Sequence, residues 1–187
     1  MATHRLFFAL WLPETVAASL HCLGEELARQ GGGQVMRVDT LHLTLAFLGE
    51  VDAARLPELE ALGSEVAAAH RAFRLVLDRI ERWDHNRIDW AGASEVPSEL
   101  GALAASLRAS LSVLGFPVEP RAFAPHVTLV RKRAADIRPQ PITPLSLLVN
   151  ELRLVESRRG GAGADYAPVA RWPLSAVDSP QRRAMPP

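Results

Sequence analysis

The chain has 187 residues, of which 48% are hydrophobic, and its 21 basic side chains are balanced by 21 acidic ones. This length and apolar content suffice for one compact domain with a sizeable core. Because the net charge is zero, the protein carries no strongly cationic coat, and any contact with nucleic acid must be local.

Cysteine usage and hydropathy restrict the class of protein further. Cys22 is the single cysteine, which excludes an intramolecular disulfide and a cysteine-based metal site. The apolar run at residues 6–12 is too short to span a bilayer, which takes about 20 residues. No small-residue cleavage site follows it. We therefore expect a cytoplasmic protein without a membrane anchor.

The first half of the chain alternates apolar runs with helical periodicity. Proline and glycine mark several of the boundaries. In chain order the patterns predict a strand at 5–13, a helix at 13–30, extended segments at 34–40 and 41–51, a helix at 52–70, and strands at 72–83 and 87–93.

The second half continues in the same mixed order. The patterns predict a helix at 96–115, a strand at 123–132, a loop at 139–144, one long strand at 145–157, a flexible turn at 158–164 and a last strand at 165–174. The segment 175–187 is polar and rich in proline, and we expect a disordered tail there.

Interleaved helices and adjacent strand pairs favour an α+β fold over a doubly wound parallel sheet. One short pattern occurs twice, as "HLTL" at residues 42–45 and as "HVTL" at residues 126–129. The copies lie a little under half the chain apart, which suggests two related lobes that each contribute one such strand. We expect residues 1–174 to form a single two-lobed domain.

Strand geometry gives each copy of the motif one polar face. Side chains alternate along a strand, so His42 shares a face with Thr44, and His126 shares a face with Thr128. The leucines and valine between them point the other way, into a core. An unpartnered buried polar group costs roughly 1–3 kcal/mol, so the polar faces are expected to line a cleft.

Two imidazoles on opposite walls of a cleft suit displacement at phosphorus. One histidine removes a proton from the attacking oxygen and the other protonates the leaving oxygen. Histidine titrates near neutral pH, so both forms are available. Threonine hydroxyls donate hydrogen bonds to the non-bridging oxygens, where negative charge develops. A single His-x-Thr is most often structural, but two copies in apolar strands favour chemistry. No cofactor and no metal ligand set is expected.

Longer segments around both motifs resemble a known family. "LHLTLAFLGEV" at 41–51 and "FAPHVTLVR" at 123–131 resemble the two motifs of the two-histidine phosphoesterases, in particular the bacterial and archaeal RNA 2′,3′-cyclic phosphodiesterases once called 2′-5′ RNA ligases. "RLFFAL" near the N-terminus resembles the opening strand of that family. Ser157, Tyr166 and "RWPL" at 171–174 resemble its last two strands.

The resemblance implies a pseudo-symmetric, two-lobed mixed-sheet fold with helices outside and a central cleft. It implies hydrolysis of a terminal 2′,3′-cyclic phosphate on RNA to a 2′-phosphomonoester, with 2′-5′ ligation as the reverse reaction. His42 is then the proton donor to the departing 3′ oxygen, and His126 is the base that activates water. Thr44 and Thr128 are then phosphate-oxygen ligands. The near symmetry of the motifs leaves the acid and base labels open.

Two further residues are candidates for substrate binding. Arg131 would anchor a phosphate, but it lies five positions after His126, so strict alternation places it on the opposite face unless the strand ends or bulges. Tyr166 would stack on a base, or it is a sheet tyrosine with a solvated hydroxyl. The four tryptophans are predicted to pack in the core or between the lobes. Lys132 and Arg133 are predicted to form a solvated strand end, or else to steer RNA ends.

Two other functions stay open from the sequence. One alternative is a module that binds RNA ends, with slow incidental turnover. The other is a phosphodiesterase of small cyclic nucleotides. The expected partner in the main reading is RNA with a 2′,3′-cyclic phosphate end. We expect the protein to act as a monomer.

Overall fold

The computed structural model describes residues 2–134, 139–160 and 163–176. It has the mixed α+β architecture that the sequence predicts. Its strands are β1 (Thr3–Trp11), β2 (Gln34–Val35), β3 (His42–Asp52), β4 (Phe73–Trp83), β5 (Ile88–Gly92), β6 (Val127–Arg131), β7 (Gln140–Val149), β8 (Glu151–Gly160) and β9 (Gly163–Pro173). Its α-helices are α1 (Glu14–Gly31), α2 (Leu56–Ala69) and α3 (Ser98–Val113), and short 3₁₀ turns cover Val38–Thr40 and Ala53–Arg55.

The strands form one antiparallel sheet in the order β7-β4-β5-β6-β3-β1-β8-β9, with β2 added beside β6. The two central strands, β3 and β6, are joined by a single residue pair, Leu43 with Val127. Each of these residues lies between the histidine and threonine of its motif. The sheet therefore divides into two halves that meet at the two His-x-Thr motifs: β3, β1, β8 and β9 form one half, and β7, β4, β5 and β6, with the short β2, form the other.

The two halves repeat one local plan. In the first, β1 leads through α1 to its antiparallel neighbour β3; in the second, β5 leads through α3 to its antiparallel neighbour β6. The helices cover one face of the sheet, where residues such as Leu20, Leu59 and Leu103 are fully buried. Leu43 and Leu45 of β3 reach the same core, which leaves His42 and Thr44 on the opposite face.

Two predictions for the segment 139–157 are wrong. Residues 140–144 of the expected loop belong to β7, which pairs with β4 at one end of the sheet. Pro141 and Pro144 are compatible with a strand there because proline is tolerated on edge strands. The expected long strand at 145–157 is broken at Asn150: β7 ends before it, and β8 continues in the other half of the sheet. Periodicity within a run of residues cannot reveal that its partner strands change.

Two further predicted boundaries need small corrections, those of the strand at 123–132 and of the tail that begins at residue 175. The strand predicted at 123–132 is shorter, since β6 begins at Val127, directly after His126. Ser175, expected to open a tail, is still hydrogen bonded to the chain at His70 and Ala72. Residues 177–187 lie outside the described part of the chain, so disorder of the tail stays a prediction. Among the described helices, none combines the length and the apolar character that crossing a membrane requires.

Candidate active site

The two His-x-Thr motifs meet in a small cavity on the helix-free face of the sheet. Its volume is about 60 Å³. Its walls include Arg131 and all four polar residues of the motifs: His42, Thr44, His126 and Thr128. It adjoins a larger cavity of about 390 Å³. The two cavities share five lining residues: Met36, Thr40, His42, Thr44 and Arg131. The pairing of the motifs across one space is what the sequence predicted from strand parity.

Each motif is followed by the same irregularity of the sheet. In β3, Thr44 pairs with Ala9 and Ala46 pairs with Phe8, so the leucine between them has no cross-strand partner. In β6, Thr128 pairs with Trp90 and Val130 pairs with Asp89, again with one leucine left over. Leu45 and Leu129 are therefore β-bulges at equivalent positions, and each resets the alternation of faces that follows.

The bulge at Leu129 decides where Arg131 lies. Leu129 and Val130 are both buried, which breaks the alternation, and Arg131 is exposed. Its side chain lines both cavities, on the same face as Thr128. The exception to strict alternation that the sequence required is thus present, and a guanidinium charge stands beside both histidines.

His42 is held among aromatic rings. Its ring stacks on Trp11, with centroids 5.1 Å apart and planes at 10°, and lies 4.9 Å from Phe7 and 5.0 Å from the edge-on ring of Tyr166. Burial among these rings, together with the positive charges of Arg131 and His126, lowers the pKa of His42 from 6.5 to about 4. The bond to the Thr40 carbonyl opposes this shift.

His126 has a comparable but less enclosing environment. Its ring lies 4.4 Å from Trp83 and 6.1 Å from Trp90, in both cases edge to face. Burial is the largest cause that lowers the pKa of His126 below its ordinary 6.5, and Arg131 lowers it further. Both imidazoles are therefore mainly neutral at neutral pH in the free protein.

The two histidines share one tautomer. The Nδ1 atom of His42 lies 2.7 Å from the carbonyl oxygen of Thr40, and the Nδ1 atom of His126 lies 2.8 Å from that of Ala124. A carbonyl oxygen can only accept, so each Nδ1 carries the hydrogen and donates it. Each Nε2, which has no hydrogen-bond partner among the described residues, is left to accept or donate a proton in the cavity.

Other predicted residues fall in different places. Tyr166 lines the larger cavity and contacts both His42 and Phe7 edge-on. Phe7 is itself buried, so it serves the packing and the site together. The tryptophans do not all belong to the core: Trp11 and Trp83 are half-buried and contact the motif histidines.

Both predictions for Arg133, a solvated strand end and a residue that steers RNA ends, are wrong. It is fully buried, and its Nη1 donates to Asp89 at 2.8 Å, while Arg82 donates to the other oxygen of Asp89 at 3.1 Å. Charge runs are usually solvated, but a carboxylate on a neighbouring strand is invisible in the local pattern. Arg133 is therefore a structural residue, and exposed Lys132 next to it marks a turn with φ of 56°.

Sequence reasoning missed several residues of the larger cavity, among them Arg5 and Phe47. A signal was present, because Phe47 follows His42 by five positions, as Arg131 follows His126. After equivalent bulges, both positions return to the cavity face. In the part of the chain that the structure describes, no group of three or more histidine, cysteine or acidic side chains could hold a metal ion.

Two His-x-Thr motifs on the central strands of a pseudo-symmetric sheet form the architecture expected of two-histidine phosphoesterases. The family model for LigT-like phosphoesterases matches residues 10–90 and 92–162 of the chain. The chain therefore belongs to the LigT-like phosphoesterase family.

Individual relatives agree over nearly the whole length. The chain is 34% identical over 173 residues to the RNA 2′,3′-cyclic phosphodiesterase of Escherichia coli, covering 91% of this chain and 97% of the relative. It is 32% identical over 179 residues to the enzyme of that name from Thermus thermophilus, covering 91% and 90%. The crystal structure of E. coli LigT complexed with 3′-AMP superimposes with a TM-score of 0.84 at 33% identity, covering 92% of this chain and 99% of that one.

Proposed function

We propose that the protein hydrolyses the 2′,3′-cyclic phosphate at the end of an RNA strand to a 2′-phosphomonoester, without a metal ion. The observation that carries this proposal is the small cavity that brings together two imidazoles and two threonine hydroxyls. Membership of the LigT-like phosphoesterase family supports the reaction class, and the names of the relatives support a 2′,3′-cyclic phosphate on RNA as the substrate.

In the proposed mechanism, Nε2 of His126 accepts a proton from water as the water oxygen attacks phosphorus. The bond from phosphorus to the 3′ oxygen breaks, and Nε2 of His42 gives that oxygen a proton. The reaction consumes one water and leaves a free 3′ hydroxyl and a 2′-phosphate, and the proton gained by His126 returns to His42 through solvent. Such proton transfers are each worth about 10²–10⁴-fold in rate.

Thr44 and Thr128 are proposed to donate hydrogen bonds to the two non-bridging oxygens, one from each half of the sheet. Arg131 supplies a positive charge next to the same group. These donors are fixed by the strands before substrate arrives, so they need no reorganisation as negative charge builds on the phosphorus oxygens. We propose that Tyr166 contributes to the wall against which the nucleoside packs.

The acid role of His42 requires help from the substrate. With a pKa of about 4 in the free site, His42 is neutral near neutral pH. A bound phosphodiester is an anion, and an opposite charge within contact distance raises the pKa of an imidazole. Substrate binding therefore favours the protonated form of the histidine that must act as acid.

The same site supports 2′-5′ ligation, in which the 5′ hydroxyl of a second strand takes the place of water. That hydroxyl gives its proton to the base and attacks the phosphorus of the cyclic phosphate, and the bond from phosphorus to the 3′ oxygen breaks, which leaves a 2′-5′ linkage and a free 3′ hydroxyl. We propose that this is a secondary activity.

Action on small cyclic nucleotides is the second candidate function, favoured by the small size of the cavity between the histidines. The adjoining larger cavity, about 390 Å³, favours a substrate that extends beyond one nucleotide. We further propose that the protein works as a monomer in the cytoplasm.

Product analysis tests the proposal. An RNA oligonucleotide ending in a 2′,3′-cyclic phosphate is incubated with the protein and excess EDTA, and the end group is identified by mass and by resistance to a 3′-specific phosphatase. The proposal predicts a 2′-phosphate at undiminished rate in EDTA. A 3′-phosphate product would overturn the assignment of the leaving oxygen, and loss of activity in EDTA would overturn the metal-independent mechanism.

A further inference from the structure

The end of β6 is held differently from the equivalent part of β3. Both strands bulge at a leucine and then present a residue to the larger cavity, Phe47 in β3 and Arg131 in β6. Beyond its bulge, β3 continues to Asp52 and stays paired with β1 as far as Thr3. In contrast, β6 ends at Arg131, only two residues beyond its bulge at Leu129. The residue that supplies the positive charge of the cavity therefore occupies the last position of its strand.

The side chain of Arg131 has no hydrogen-bond or ion-pair partner among the residues that the structure describes. Its guanidinium lines both cavities, and its charge acts on His42 and His126. The direction in which such a side chain can reach is set by its backbone. Whatever fixes the last residues of β6 therefore also fixes the region that this charge can occupy.

The chain directly after β6 is fixed by a buried ion cluster, which consists of Arg82, Asp89 and Arg133. The chain turns at Lys132, whose φ is 56°, and Arg133 is then only 1% exposed. Nη1 of Arg133 donates to Oδ2 of Asp89 at 2.8 Å. Arg82 donates to Oδ1 of Asp89 at 3.1 Å and to the carbonyl oxygen of Arg133 at 3.4 Å. The cluster thus holds both the side chain and the backbone of Arg133.

The same cluster also reaches the chain before Arg131. Asp89 lies on β5 and pairs with Val130, the residue directly before Arg131. Removing a charge from the cluster would leave another one unpaired in an interior without water, which is strongly unfavourable, so the anchor resists displacement. In β3, a continued ladder of paired residues holds the position equivalent to Arg131, and in β6 the ion cluster holds it.

We propose that the buried cluster of Arg82, Asp89 and Arg133 positions Arg131, by anchoring the end of β6 so that the guanidinium of Arg131 stays beside the phosphate on which the two histidines act. The three cluster residues do not touch the substrate, and they act through Arg131. The inference rests on the proposed function, and it assigns an effect on turnover to groups that are buried in the protein interior.

The test breaks the anchor in two ways that change the buried charge in opposite directions. Arg133→Met removes a positive charge, and Asp89→Asn removes a negative one. A direct effect of the lost charge would raise the pKa values of His42 and His126 in Arg133→Met and lower them in Asp89→Asn. Displacement of Arg131, whose charge lowers both pKa values, would raise them in both variants. The proposal predicts a rise in both variants, measured by NMR titration of the histidine resonances.

Turnover gives a second readout. Each variant should lower kcat/KM for a cyclic-phosphate oligonucleotide roughly tenfold, because a charge displaced by about 1 Å stabilises the transition state less. In an Arg131→Met background, the same two changes should have no further effect on kcat/KM or on the histidine pKa values, since the residue through which they act is gone. Effects of equal size in both backgrounds would overturn the proposal, and so would histidine pKa values that move in opposite directions.

Loss of stability by itself is controlled by Leu59→Ala. Leu59 is fully buried on α2, which packs against β8 and β9 in the other half of the sheet. This change leaves a cavity and destabilises the protein, but it leaves the end of β6 in place. At a temperature where circular dichroism shows every variant to be folded, Leu59→Ala should keep the wild-type histidine pKa values and kcat/KM. Shifts equal to those of the cluster variants would contradict the positioning role.

Arg82→Lys keeps the proposal testable if neither cluster variant folds. It retains the buried positive charge and loses the second arm of the guanidinium, which binds the carbonyl oxygen of Arg133. Both histidine pKa values should rise in Arg82→Lys while Arg131 is present, and unchanged values would refute the anchor. The titration needs no substrate, so a wild-type protein that hydrolyses no cyclic phosphate would refute the proposed function, and the pKa values would still decide whether the cluster positions Arg131.

Discussion

The two halves of the sheet repeat the same backbone around different side chains. In both, a histidine donates Nδ1–H to a carbonyl two residues earlier, a threonine follows, and a leucine bulges out of the sheet. Five positions after each histidine, however, the first half presents Phe47 and the second presents Arg131. The repeat thus fixes where groups stand in the cavity, while the side chains give one half an apolar wall and the other a positive charge.

A second difference lies just behind the bulges. The residue that follows each bulge pairs with Phe8 in the first half and with Asp89 in the second. Both Phe8 and Asp89 are fully buried. Phe8 packs in the apolar core, whereas Asp89 binds the guanidinium groups of Arg82 and Arg133. One position of the repeat is therefore held by packing in one half and by a buried ion cluster in the other.

Removal of either motif histidine should have the largest effect on turnover. We expect His42→Ala and His126→Ala each to reduce kcat by about 10²–10⁴-fold, because each removes one proton-transfer group. The double variant should be little worse than the singles, since the two groups act as a unit. Steady-state kinetics on a cyclic-phosphate oligonucleotide measures this.

The matched control for the histidines is His70→Ala, because His70 bonds to Ser106 far from the cavity. It should retain wild-type kcat. Near-normal turnover in either motif variant would refute the paired acid–base mechanism.

Loss of the buried carboxylate should have the largest effect on stability. Asp89→Asn leaves Arg133 without its counter-charge in a site that excludes water, and it removes one of the carboxylates that Arg82 contacts, so the free energy of unfolding should fall by about 3–5 kcal/mol. Urea denaturation followed by circular dichroism measures it. Glu119→Gln removes a carboxylate from an exposed pair with Arg121, and water screens that pair, so this variant should unfold like wild type. Equal stability of the two variants would contradict the role assigned to the cluster.

The threonines test whether the halves contribute equally to the transition state. Thr44→Val and Thr128→Val each remove one hydroxyl donor at nearly constant shape, so each should lower kcat by about 10²–10³-fold and change KM less. Comparison of kcat and KM for both variants checks this. A loss confined to one variant would show that a single threonine, rather than a pair, holds the phosphoryl oxygens.

Much of this site is readable from the sequence because strand parity is local. The alternation of His42 and Thr44 with leucines predicts one polar face, and the second copy at His126 and Thr128 predicts its counterpart. Arg131 required more, since only a bulge carries it to that face, and a bulge depends on the register of the partner strand.

Other features depend on contacts between distant segments and have no local signal. The change of partner at Asn150 separates β7 from β8, although the run of residues looks like one strand. Arg133 reads as part of a solvated basic stretch until Asp89 on β5 is placed beside it. Trp11 and Trp83 are large apolar residues of the kind expected in a core, and only the fold shows that they contact the two histidines.

The pH dependence of kcat/KM tests the central claim most directly: one proton shared by two histidines is the active form. The profile of kcat/KM should be bell-shaped. Activity should rise near pH 4, where the pair loses the first of its two protons at the lowered pKa of His42. It should fall again as the pair loses its second proton, and the midpoint of this falling limb should lie below pH 6.5 because the pKa of His126 is also lowered.

Arg131 lowers the pKa of both histidines, so removing its charge in Arg131→Met makes both easier to protonate and raises both pKa values. The account predicts that both limbs of the bell move to higher pH in this variant. A flat wild-type profile, or a bell that stays in place or moves to lower pH in Arg131→Met, would contradict it.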